Sequence, residues 1–322
     1  MPDDRRLPRL TPQGDTLRPG DRHSVRTPAA RFHPSLLQVS RRLLPRDYTL
    51  ALLLDEHRVL STGQVTAALF GSARTCRNRL TVLRRIGFID RFTPHRPGRP
   101  AAECWLPGLL AARYAALARD QRPPTAAAVR DRQDAVLASP QLDHLLGVNQ
   151  FFVDLLAHGR ANPQTRLARW WPAARAAAAV GRRVRPDGHG VWTEPEHTVA
   201  FWLEHDTGSE SLGRLTARLE AYRRLRADGG PGYPVLFWLP NPTREANLHR
   251  RLTGAAPGVT VATAVADPAG PGPAGPVWRL AGNGRRRLRL AELPSHPGRP
   301  GPYHPPPAGP EDDPLRLLRA GS

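Results

Sequence analysis

The chain has 322 residues, with 47 Lys+Arg against 28 Asp+Glu and a formal charge of +19. It contains no lysine, which excludes a P-loop lysine, a Schiff-base lysine and a nuclease signature with its lysine intact. Cys76 and Cys104 are the only cysteines, too few and too far apart for a zinc ribbon or a disulfide scaffold.

The charged, proline-containing start lacks the apolar core of a signal peptide, and no stretch approaches the roughly 20 apolar residues of a membrane span. A soluble, cytoplasmic protein with no membrane partner is expected. The arginine surplus favours a polyanion as partner, and nucleic acid is the usual one. A GC-rich coding bias gives the same surplus, so the position of the arginines carries more than their number.

Residues 1–40 are rich in Pro, Arg and Asp without helical periodicity, and read as a disordered basic arm. A first unit is expected over 46–120. Tyr48, Leu50, Leu52, Leu53 and Leu54 predict an apolar helix ending near His57. Ser61 can cap a second helix with Val65, Ala68 and Leu69 on its inner face. Ser72 caps a third, in which Cys76, Leu80, Leu83 and Ile86 line the buried side and Gly87 closes the end. Phe88 and Ile89 enter a strand, Pro94–Pro100 form a polar turn, and Glu103–Leu106 return. Three helices and a hairpin in this order predict a winged helix-turn-helix.

The third helix carries Arg74, Thr75, Arg77, Asn78, Arg79, Arg84 and Arg85, several of them opposite the apolar stripe. A helix of this width fits the major groove, where Arg and Asn bond base edges and Thr meets a methyl or a phosphate. His95, Arg96 and Arg99 at the hairpin tip are placed for the adjacent backbone or minor groove. Double-stranded DNA is therefore the expected partner; a protein-contact role for the same arginine face is the competing reading. Winged modules often dimerise, so a homodimer is a further expectation, although no coiled-coil heptad is evident.

Leu109–Arg119 and Val129–His158 are helical in pattern, and 125–160 reads as bridging helices, with His144 and Asn149 in core or capping roles. Residues 166–266 alternate strand and helix. Trp170 and Trp171 start or cover a sheet, and Val184 opens a strand leading to Asp187 and a turn at Gly188–Gly190. Thr198–Leu203 is a strand delivering Glu204, His205 and Asp206, and Leu212–Arg226 is a helix. Val235–Leu239, Arg244–Leu252 and Val259–Ala264 follow as strand, helix and strand. The whole is α/β (α+β overall): a winged helix followed by a mixed-sheet, restriction-endonuclease-like unit, with disordered Pro/Arg-rich termini. Twelve of the 36 prolines fall in 268–310, so 267–322 reads as a Pro/Gly-rich linker or tail. Gly270, Gly272 and Gly275 match GxGxxG only formally, with no helix to follow.

Asp187 and Glu204 sit at neighbouring strand ends on this reading, a pair of hard oxygen ligands suited to Mg²⁺ and phosphate chemistry. Asp206 shares the face of Glu204 two residues on, and Arg218 on the next helix can face a phosphate transition state. Against this, Pro-Asp-Gly is a common turn, and carboxylates at strand ends are commonly solvated or paired with arginine. No His-x-His accompanies Tyr222 as a relaxase would need, and Ser211 lacks the glycine of a nucleophile elbow.

RPDG at 185–188 and AFWLEHDTGSES at 200–211 resemble the PD-(D/E)xK nuclease pattern. Together with the preceding winged helix, LxxLLGVNQFFVDL at 142–155 and RLEAYRRL at 218–225, they resemble the replication-relaxation family, over about Tyr48–Ala264. The resemblance implies a DNA-binding protein of plasmids or integrative mobile elements, acting in replication, relaxation or transfer with partner proteins of those processes. It gives Asp187 and Glu204 the two acidic positions. Asp206 stands where the nuclease pattern has lysine, and arginine at 218 is a poorer proton partner because it stays charged. The expectation is thus a DNA-binding protein without its own catalysis, with a metal-dependent nuclease or a winged-helix transcriptional regulator as alternatives.

Overall fold

A computed structural model describes residues 39–94, 102–252, 258–282 and 286–320, together with a two-residue strand at 25–26. Helices α1 (Pro45–His57), α2 (Thr62–Leu69) and α3 (Ala73–Arg85) are followed by strands β3 (Ile89–Thr93) and β4 (Cys104–Pro107). The short strands β1 (Val25–Arg26) and β2 (Leu60–Ser61) complete an antiparallel sheet in the order β1-β3-β4-β2. The caps fall where the sequence puts them. The Ser61 hydroxyl accepts from the Gln64 amide at 3.2 Å and Gln64 returns the bond to the Ser61 amide, a full capping box. Ser72 accepts from the Thr75 amide at the start of α3. Within the expected N-terminal arm, Val25–Arg26 pairs with β3 and Val39 is buried; the rest of 1–38 lies outside the described residues, as do His95, Arg96 and Arg99.

Helices α4 (Leu109–Leu117), α5 (Ala126–Leu137) and α6 (Leu142–Ala161) lead to the second sheet. The bridging helices expected over 125–160 are two, Ala126–Leu137 and Leu142–Ala161. Pro140 supplies no N–H and splits them. Six strands, β5 (Arg166–Pro172), β6 (Gly188–Glu194), β7 (His197–His205), β8 (Val235–Leu239), β9 (Val261–Val265) and β10 (Arg279–Leu280), pair in the order β10-β9-β8-β7-β6-β5. The pairs β5·β6, β6·β7 and β9·β10 are antiparallel, whereas β7·β8 and β8·β9 are parallel. The parallel pairs are connected through α8 (Leu212–Ala227) and α9 (Pro242–Leu252).

The turn expected at Gly188–Gly190 is a correction. These residues are strand, and the chain reverses at Glu194–His197, with Glu196 at φ 66°. The glycines serve packing instead. A Cβ at Gly188 would lie 2.6 Å from the Phe152 ring, and one at Gly190 2.3 Å from the Phe201 ring. Aromatic rings from α6 and β7 thus rest directly on the β6 backbone.

The alternation of β7 sorts its two faces. Phe201 and Leu203 turn towards α6, joining Phe151, Phe152, Trp170 and Trp238 in a core continuous with the helical unit. Trp202 turns towards α8 and α9, with Val235, Phe237, Leu215, Leu219 and Leu248. A short helix α7 (Ala173–Ala179), not foreseen, also packs in that second core through Ala176.

The proline-rich stretch is not a free linker. Trp278, Leu290, Leu293 and Leu315 are buried in the first core, and the Trp278 indole N–H donates to the Pro273 carbonyl at 2.8 Å. Burying one aromatic of this size removes roughly 150–250 Å² from water, worth about 4–6 kcal/mol as an upper bound at ~25 cal/mol/Å². Prolines have little backbone freedom to lose, so a few such anchors suffice. Further on, Asp312 reaches β5. It accepts from the fully buried Arg169 at 2.7 and 3.1 Å, from the Trp171 indole at 2.8 Å and from Arg175 at 3.0 Å.

Candidate functional site

Helix α3 has two chemically distinct faces. Cys76, Leu80 and Leu83 are fully buried, and at i, i+4, i+7 they form one stripe. Arg74, Thr75, Arg77 and Asn78 are exposed, and the guanidinium groups of Arg74 and Arg77 have no carboxylate partner among the described residues. Arg85 is exposed at the far end, and Arg84 is half-buried.

Arg79 behaves differently. Its Nε donates to Asp47 Oδ1 at 2.9 Å, its Nη2 reaches the other oxygen of the same carboxylate, and Nη2 also donates to the Arg42 carbonyl at 2.7 Å. Asp47 is 1% exposed and accepts from the Leu44 amide as well. Arg79 therefore neutralises a buried charge at the start of α1 and holds α3 against it. The guanidinium is spent on packing, not displayed.

The acidic cluster is assembled at the junction of β6, β7, α6 and α8. Gly188 lies opposite Leu203, so Asp187, one residue earlier, sits beside Glu204; its amide donates to the Leu203 carbonyl at 2.9 Å. Asp187 Oδ2 accepts from the His205 amide at 2.8 Å, and Oδ1 from His144 Nε2 of α6 at 2.9 Å. The hydrogen bond to Asp187 holds the His144 imidazolium above its ordinary pKa. Glu204 is 1% exposed. Its Oε1 accepts from the Tyr222 hydroxyl at 2.6 Å and its Oε2 from Arg218 Nη1 at 2.7 Å, both donors on α8. Burial, followed by the Asp187 charge, pushes Glu204 up to about 7, against the pull of Tyr222 and Arg218. The Tyr222 phenol is raised well above its usual range by burial and by Glu204.

Asp206 shares the face of Glu204 but not its partners. It is 3% exposed and clamped by both Nε and Nη2 of Arg244 on α9, with a further bond from the Gly208 amide at 2.8 Å. His205 points the opposite way, against Gly147 of α6, where any side chain would collide with its ring. Burial, then the His144 charge, lowers it to about 4.

A resident Mg²⁺ needs carboxylate oxygens open to it. Each of the four oxygens of Asp187 and Glu204 already accepts a hydrogen bond, one of them from a guanidinium. Among the described residues no group of three or more His, Cys, Asp or Glu side chains is arranged to hold a metal ion. As arranged, these residues fit an arginine-neutralised carboxylate pair better than a hard-cation site.

Sequence reasoning placed Asp187, Glu204 and Arg218 near one another but gave His144 no part in the cluster and did not connect Asp206 with Arg244. The only local signal for His144 is its helical phase, one turn before Gly147 on the face of α6 that meets β7.

The replication-relaxation family model matches residues 52–234, more than half of the chain. The chain belongs to the replication-relaxation family. The family description points to a role in replication or relaxation. The stretch shared with this replication-relaxation family takes in α3 and the Asp187–Glu204–Tyr222 cluster, while Arg244 and the C-terminal segment lie outside it. No curated protein and no solved structure matches the chain. Among the described residues no helix is long and apolar enough to cross a membrane.

Proposed function

We propose that this replication-relaxation protein binds double-stranded DNA in the cytoplasm, with α3 as the recognition helix of a winged helix-turn-helix. On this reading it serves plasmid or mobile-element replication, relaxation or transfer and does not cut the DNA itself. The observation that carries the reading is the exposed row Arg74, Thr75, Arg77 and Asn78, backed by a fully buried apolar stripe on a capped helix that precedes a β-hairpin. Guanidinium and amide groups in that order bond purine edges and phosphates, while the helix body fits the major groove. The chain's charge of +19 strengthens the encounter with a polyanion. Arg79 is left out of the contact set because Asp47 holds it. Arg96 and Arg99, which lie outside the described residues, are further candidate contacts on the sequence alone.

The test is anisotropy of a labelled duplex titrated with the protein over a series of salt concentrations. Affinity should fall steeply with salt, and the double variant Arg74→Ala/Arg77→Ala should bind more weakly with a shallower slope. Duplex affinity and salt slope that match the parent protein in this variant reject α3 as the recognition element.

A second reading, a Mg²⁺-dependent endonuclease, draws on the adjacency of Asp187 and Glu204 at the ends of β6 and β7. The hydrogen bonds on all four oxygens, one of them from the Arg218 guanidinium, weigh against it. Supercoiled plasmid incubated with Mg²⁺ should stay supercoiled; nicking that disappears in Asp187→Asn establishes the nuclease.

A further inference from the structure

A cavity of about 320 Å³ opens between α1, β4, α4 and α5, away from both the α3 face and the acidic cluster. Its volume is on the scale of small-molecule sites, which run from roughly 300 to 1,000 Å³. The floor is apolar, formed by Leu54, Leu106, Val129 and Val136, all buried. Two exposed arginines, Arg58 and Arg132, stand at it, and neither has a carboxylate partner among the described residues. The acid nearest in the lining, Asp55, is already taken by Arg119 at 2.5 Å. The Gln133 amide is engaged too, donating to the Pro107 carbonyl at 2.8 Å.

The backbone at Arg58 adds an independent observation. Its φ of 71° and ψ of −41°, with the Val59 amide donating to the His57 carbonyl at 2.8 Å, make a γ-turn of the positive-φ kind. Such turns are rare and strained, and a residue with a Cβ persists there only when its surroundings impose it. Here the surroundings do so. Asn149, buried on α6, donates to the carbonyls on both sides of the turn, at 3.3 Å to His57 and 2.8 Å to Val59. Glycine would occupy this position without strain, yet the sequence holds an arginine there and the fold spends a buried amide to fix it beside an apolar cavity.

We propose that this cavity is a binding site for a small organic carboxylate with an apolar body. The body replaces water over Leu54, Leu106, Val129 and Val136, and the anionic head is held by the guanidinium forks of Arg58 and Arg132. Planar guanidinium groups match a carboxylate by paired hydrogen bonds, and the acid in the lining, Asp55, pairs with Arg119 rather than with either of them. The proposal does not depend on the DNA-binding reading, since its residues lie on other elements than α3.

Isothermal titration calorimetry and thermal unfolding of the full chain with 2-naphthoate and octanoate test it. At least one of the two should bind with single-site saturation and raise the melting temperature in a concentration-dependent way. The neutral amide of that ligand, equal in shape, should bind at least about tenfold more weakly, as should inorganic phosphate, which lacks the body. Arg132→Ala and Arg58→Gly should each weaken carboxylate binding by about tenfold or more, the scale of one charge-assisted contact. Glycine keeps the turn, so an unchanged melting curve of ligand-free Arg58→Gly separates loss of the contact from loss of the fold. No saturable binding of either carboxylate, equal binding of the amide, or unaltered affinity in both variants overturns the proposal.

Discussion

The exposed face of α3 and the acidic cluster below β7 are both rich in arginine and use it in opposite ways. On α3, Arg74 and Arg77 are exposed and have no carboxylate partner among the described residues, so their charge is available to whatever approaches. Around the cluster, Arg218 and Arg244 lie against Glu204 and Asp206, carboxylates that are almost fully buried, and their charge is consumed within the molecule. In a chain with no lysine, arginine supplies both the long-range field and the internal counter-ions. What separates the two uses is whether a buried carboxylate lies within reach.

That contrast breaks most visibly where an internal counter-ion is removed. Asp312→Ala leaves Arg169, 1% exposed, without its carboxylate. Orphaning one member of a buried pair costs about 3–5 kcal/mol. Denaturant unfolding should show that loss, while duplex binding of the folded fraction stays at the parental level. An unshifted midpoint would mean that the pair is solvated in solution.

Next in size is the pH response of Glu204. Its pKa is raised in the folded state, so its contribution is most favourable below the ordinary carboxyl pKa and is lost as pH rises towards about 7. The raised His144 slopes in the same direction around neutrality, so the informative quantity is a difference. The stability of the parent relative to Glu204→Gln should decline between about pH 4.5 and 7, by about 3 kcal/mol. A difference that stays constant over that window denies that burial raises the Glu204 carboxyl.

Two neighbours on α3 sharpen the comparison further. Arg79→Ala should lower stability by about 1–3 kcal/mol, because it strands Asp47. Arg77→Ala should change stability by no more than about 0.5 kcal/mol, as exposed substitutions do. It should nevertheless cost about 1–3 kcal/mol of duplex affinity if the side chain reads a base. Paired unfolding and anisotropy measurements decide whether the helix divides its arginines this way. At the small end, Arg223→Ala removes only a surface pair with Glu220 and should leave both the midpoint and the affinity unchanged within error.

The legibility of the sequence follows the same division between local and distant. Ser61, Ser72 and Gly87 announce helix ends through their own chemistry, and the apolar run Val235–Leu239 can only be a buried strand. The faces of α3 followed from spacing alone. Pro-Asp-Gly misled because its turn chemistry is real in isolation, whereas Gly188 and Gly190 answer to Phe152 and Phe201 from elsewhere in the chain. Composition misled again at 267–322, where prolines outnumber anchors such as Trp278 although the anchors decide the packing. At the cluster, the neighbourhood of Asp187 and Glu204 follows from two adjacent strands. The Arg244 clamp on Asp206, 38 residues away, and the Asp47 partner of Arg79 have no signature in sequence spacing.

Arg169 and Asp312 are 143 positions apart, and that separation bears on synthesis. While the chain is being made, the guanidinium of β5 exists for 143 residues of translation before its carboxylate is polymerised. The sheet's outer strand therefore reaches its final electrostatic state only once Asp312 has been added, and a chain stopped after β10 but before that residue holds a sheet whose Arg169 lacks this carboxylate at its margin.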